Sequence, residues 1–154
     1  VLPESQTILN YLADIHPTPS MRPKDPEERA RMNSAIQIMD TYVMASVIRT
    51  FPHLDPAKAD ARVVDDEVTR WKNGLAALVH FMKLPMPTAE AGITIGDCCL
   101  ATALHLNSHI ARILELPEDP MKAHGVLVEY YARINEHPVI GPTLAALTKA
   151  QAGH

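Results

Sequence analysis

The chain has 154 residues, with 14 Lys and Arg against 18 Asp and Glu and a formal net charge of −4. That balance gives no electrostatic footprint for nucleic acid or for an anionic membrane surface. No apolar run reaches the roughly 18 residues needed to cross a bilayer, and a 47% apolar chain of this length suits one domain with a buried core.

In chain order, residues 1–16 (VLPESQTILNYLADIH) open a helix within five residues, with Pro3, Glu4 and Ser5 as first-turn residues. A proline-rich linker, residues 17–25, follows. Its end is a helix start: Asp25 is placed as a cap, Pro26 at the first helical position and Glu28 three residues after the cap. Met32, Ala35, Ile36, Met39, Val43 and Val47 then recur at helical spacing, while Tyr42, Met44, Ala45 and Ile48 make the later turns apolar on several sides. A second long helix is predicted from about Asp60 to Lys83, striped by Val64, Val68, Trp71, Leu75, Leu78 and Met82. Trp71 belongs to that core stripe. Asp65, Asp66 and Glu67 alternate with Arg62 and Arg70 and read as a solvated face.

The stretch ITIGDCCL holds a capping box. Thr94 accepts from the amide of Asp97 and Asp97 returns a bond to the amide of Thr94, with Ile93 as the staple before it. The helix it starts is apolar nearly all round, as a central helix should be. Cys98 and Cys99 are neighbours, poorly placed for a mutual disulfide, and read as small apolar thiols in a reducing compartment. His105 and His109 share a helix face but lack a third ligand at a metal-site spacing, so no metal is expected. Asp119 and Pro120 repeat the cap-and-proline start ahead of Leu127, Tyr130, Tyr131 and Ile134, and a short last helix carries Ile140, Leu144 and Leu147. No alternating strand occurs, so the fold class is all-α: about five helices after the opening one.

Four of these stretches together resemble one family. ESQTILNYLAD before a Pro-rich linker is similar to the last helix of the thioredoxin-like N-terminal domain of cytosolic glutathione transferases. DPEERARMNSAIQIMDTY, ITIGDCCLATAL and YYARINEHPVIGPTLAAL resemble, in order, the first long helix, the capping-box helix and the closing pattern of that family's all-helical C-terminal domain. The resemblance implies residues 1–16 as the end of a thioredoxin-like domain, 17–25 as linker and 26–154 as the helical domain. It also implies that roughly sixty to seventy residues of the first domain lie outside this sequence.

What the resemblance implies for function is specific. Glu4 and Ser5 would hold the γ-glutamyl end of glutathione, because a helix N-terminus suits a carboxylate and the Glu4 carboxylate suits an ammonium. Gln37, with Asp40 as second candidate, would reach the glutathione of a partner subunit in a homodimer. Val43, Met44 and Val47 would line the pocket for a small hydrophobic electrophile. The donor that lowers the glutathione thiol pKa is a Ser, Tyr or Cys of the missing domain, so no catalytic residue is assigned here and the chain alone is expected to be inactive. The expected activity is a cytoplasmic, detoxifying glutathione transferase with glutathione as substrate and no metal. A noncatalytic transferase-like module of a translation or regulatory complex, and a glutathione-dependent isomerase or dehalogenase, are the alternatives.

Overall fold

The computed structural model describes residues 3–82 and 86–151. Among them every regular element is helical. α1 (Ser5–Ile15) is followed by the linker, then by α2 (Pro26–Ile38), whose start is set by Asp25: Oδ1 accepts from the amides of Glu27 at 2.7 Å and Glu28 at 3.0 Å. α2 does not continue as a plain α-helix. It passes through a π-helical stretch, Met39–Met44, into α3 (Ala45–Arg49). An apolar period does not reveal this, because the extra residue in a π turn is set by what the turn packs on. Here that is α4 (Ala61–Met82). A Cβ on its Gly74 would stand 2.9 Å from the carbonyl carbon and oxygen of Tyr42 and from Val43 Cγ2, so only glycine lets the two backbones meet.

α4 buries Val68, Trp71, Leu75, Leu78 and Met82, with Val64 half-buried; Lys83, its expected last residue, lies outside the described residues. Glu67 corrects the expectation of a solvated face. It is 5% exposed, one turn before Trp71 on the buried stripe. Arg49 Nε reaches it from α3 at 2.9 Å and Arg70 Nη1 from its own helix at 2.7 Å. Burial pushes the Glu67 carboxyl up, but the hydrogen bond and charge of Arg49, with Arg70, more than offset it and hold the group below its ordinary value.

α5 (Ile95–Ile113) runs through the centre, with α6 (Gly125–Asn135) and α7 (Ile140–Gln151) packed on it. A second correction falls at Asp119. Its Oδ1 accepts from Met121 N at 2.9 Å and caps only a 3₁₀ turn, Pro120–Ala123; extended backbone at His124 separates that turn from α6. The main core is built on Trp71, Leu75, Leu78, Leu100, Leu104, Leu127 and Leu144. A smaller cluster of Met32, Ile36 and Ile95 receives Leu9 and Ala13 of α1.

α1 is the lightly held element, with no buried residue of its own. Arg22 of the linker staples it, donating to Asp14 Oδ1 at 2.6 Å and to the Asn10 carbonyl at 2.7 Å. Its Ile8, Tyr11, Leu12 and Ile15, spaced 3, 1 and 3, leave an apolar stripe exposed.

Candidate functional site

The two sequence-predicted clusters are built differently. At the start of α5, Asp97 Oδ2 accepts from the Thr94 amide and from Thr94 Oγ1, both at 2.8 Å, and Thr94 Oγ1 accepts from the Asp97 amide at 3.1 Å. Ile93 is buried beside the cap. One partner was not legible in the sequence: Tyr130 Oη of α6 donates to Asp97 Oδ1 at 2.8 Å. Burial first, then the charge of Asp97, drives the Tyr130 hydroxyl far above its ordinary value, so it stays a proton donor. The carboxylate is enclosed and satisfied, which makes this cluster structural.

The start of α1 is open. No side chain caps it, and the residue before it, Glu4, has φ 67° and ψ 121°. A non-glycine residue held there is strained by about 1–3 kcal/mol, a kind of strain that concentrates at ligand sites. Ser5, the first helical residue, opens onto a cleft of about 670 Å³ that it shares with Asp40, Met44, Cys99, Leu106 and Leu147. Burial, then the negative charge of Glu4, raises the Asp40 carboxyl above its usual range.

Each predicted residue has a definite place. Ser5, Asp40 and Met44 come together in this one cleft, and Glu4, the residue before Ser5, is not among its lining residues. Asp40 therefore faces the α1 tip of its own chain. Gln37 stands exposed on α2, one turn away, and donates from Nε2 to Thr41 Oγ1 at 2.6 Å. Val43 and Val47 correct the pocket expectation. Both are 0% exposed in the core beneath the π turn, and of the three only Met44 reaches the cleft.

The cysteines are half-buried. Burial first, then the charges of Asp40 and Cys98, pushes the Cys99 thiol up to about 12, and burial raises Cys98 as well. Both thiols stay protonated and are poor nucleophiles at neutral pH. His105 and His109 are both half-buried. His105 Nδ1 lies 2.9 Å from Tyr131 Oη, and His109 Nδ1 2.8 Å from Arg112 Nη2. Among the described residues no three His, Cys, Asp or Glu side chains come together for a metal. A second cavity, about 580 Å³ and mostly apolar, runs along the later turns of α1 beside Leu12, Pro19, Ile93, Val139 and Leu144.

No family model matches the sequence, and no curated protein matches it. A solved structure does: a glutathione S-transferase from Methylobacterium radiotolerans in complex with glutathione sulfonate, which superposes with a TM-score of 0.71 over 93% of this chain at 20% identity. The chain has a glutathione-transferase fold. It spans 66% of the length of that transferase. The four stretches that resemble the family and the three-dimensional comparison thus arrive at the same all-helical architecture by separate routes. Among the described residues no helix is long and apolar enough to cross a membrane.

Proposed function

We propose that the chain is the helical part of a glutathione transferase subunit, conjugating glutathione to small hydrophobic electrophiles as a cytoplasmic homodimer with a detoxifying role. The observation that carries this reading is the convergence of Ser5, Asp40 and Met44 on one cleft at the uncapped tip of α1. The first amides of α1 and the Ser5 hydroxyl would take the free carboxylate of the γ-glutamyl group, where the helix dipole favours a negative charge. Glu4 and Asp40, whose charges repel, would take its ammonium, which relieves that repulsion. The glutathione sulfonate bound by the solved transferase supports a tripeptide ligand for this fold.

In this reading Asp40 serves its own chain, while Gln37, outside the cleft and carrying no charge, is left the contact to a partner subunit's glutathione. Met44 gives a soft, adaptable wall for the electrophile. The raised thiols of Cys98 and Cys99 do not perform the chemistry. The thiol-activating donor is assigned outside this sequence, so this chain's residues bind and orient. The exposed stripe of α1 and the apolar cavity beside it would pack against the domain carrying that donor.

Retention of the intact subunit on immobilised glutathione tests the reading. The subunit should be held and eluted by free glutathione. Ser5→Ala should lose about tenfold in affinity, the scale of one hydrogen bond to a charged group, with its melting temperature unchanged. A subunit that passes through the matrix, or a Ser5→Ala variant that binds as well as the parent, would leave a noncatalytic module.

A further inference from the structure

Asn107, at the middle of α5, is a polar residue with no exposed surface. Its Nδ2 donates to the Ala103 carbonyl at 2.7 Å and to Met44 Sδ at 3.3 Å, across 63 positions of sequence. Its Oδ1 is buried and makes no hydrogen bond among the described residues. A buried amide left half-satisfied is a poor choice for stability, since an apolar residue of similar shape avoids the desolvation cost. The same amide does something an apolar residue cannot. It fixes the sulfur of a flexible three-rotor side chain that otherwise adapts to its surroundings. Met44 closes the π-helical stretch, and that stretch is gripped from the other side by Gly74 of α4.

We propose that Asn107 is a positioning residue for the apolar half of the cleft: by holding Met44 Sδ against α5 it sets the shape offered to hydrophobic ligands. It touches no ligand itself. The inference rests on the cleft being the electrophile site of the proposed function, and it names a specificity determinant within that site. A rigid wall selects among flat and bulky apolar groups, whereas a free methionine accepts them indiscriminately.

Binding of Nile red, a neutral apolar dye, to the intact subunit tests this in a double-mutant cycle of Asn107→Leu and Met44→Ala, with glutathione affinity measured in parallel. Met44→Ala should weaken dye binding by about tenfold, the scale of lost apolar fit in a pocket. Asn107→Leu should weaken it by about fivefold while leaving glutathione affinity and melting temperature in place. Added to Met44→Ala, it should cost nothing more, because its effect passes through the methionine. Asn107→Ala gives the same comparison should Leu disturb folding. Equal effects of the Asn107 substitution in both backgrounds, or unchanged dye binding by both Asn107 variants, would overturn the inference. An unmoved dye affinity in Met44→Ala overturns it too, together with the electrophile site. Loss of glutathione retention in the parent would instead strike the proposed function and leave the Asn107 coupling readable.

Discussion

Two aspartates of the same bundle show how differently one side chain is used. Asp97 is enclosed, accepts three hydrogen bonds and ties α5 to α6. Asp40 lies on a cleft wall, where partial burial and the charge of Glu4 both work against its ionised form. Charge that is satisfied internally serves the fold. Charge that the fold leaves under pressure is the kind a bound cation relieves. The backbones follow suit: the α5 start is a complete reciprocal cap, whereas the α1 start is uncapped and preceded by Glu4 at positive φ.

The contrast breaks most visibly at Asp97. Asp97→Ala strands the Tyr130 hydroxyl and the Thr94 amide in the interior and should cost about 3 kcal/mol or more in urea unfolding. Tyr130→Phe removes only one of those bonds and should cost about 1 kcal/mol. Were the two variants equal, the box would not be the hub described here. Next in size is Gly74→Ala, expected to lose about 2 kcal/mol because the new methyl meets the Tyr42 backbone. Its far-ultraviolet circular dichroism should remain helical. An unchanged unfolding midpoint would show that the π turn does not depend on this contact.

Glu67 adds a pH test. Its folded-state pKa is depressed, so its contribution is fully present above the ordinary glutamate value and is lost as pH falls through the lower folded value. Unfolding midpoints from neutral pH downward should therefore fall in the parent more steeply than in Glu67→Gln, which has no carboxyl there to titrate. Parallel curves would contradict the pairing with Arg49 and Arg70.

The smallest expected change in stability is at the cleft. Asp40 has the opposite sign: a raised folded pKa means its ionised form opposes folding at neutral pH, and the penalty fades as pH falls through that raised value. Asp40→Asn should thus be as stable as the parent or slightly more so, while binding glutathione several-fold more weakly, on the scale of one lost charge-assisted contact. A destabilised Asp40→Asn would place Asp40 with Asp97 among the residues that serve the fold.

Much of the architecture was legible because it is local. Asp25 with Pro26, and Thr94 with Asp97, announce helix starts within four residues. The stripes from Met32 to Met39 and from Val68 to Met82 mark the buried faces. What escaped depends on partners far along the chain. Glu67 sits in an acidic run, and its burial is made tolerable by Arg70 one turn on and by Arg49, 18 residues away, which no local pattern links to it. Tyr130 meets Asp97 across 33 residues and Asn107 meets Met44 across 63, pairs that no local pattern encodes. The π turn lies in an unbroken apolar period that already carried Val43 and Val47 on its stripe; the resemblance moved them to the pocket, and the structure keeps both in the core. At the site, Ser5, Asp40 and Met44 came from the resemblance, and their meeting in one cleft is a matter of tertiary structure.

The proposed grip of the α1 tip on the tripeptide is tested most directly by titrating the intact, isotopically labelled subunit with glutathione and following its backbone amide resonances. Saturable shifts should be largest at Ser5, Gln6 and Thr7, with Asp40 moving at the same midpoint and the Thr94–Asp97 amides still. Shifts centred elsewhere, with the first turn of α1 unmoved at saturation, would contradict it.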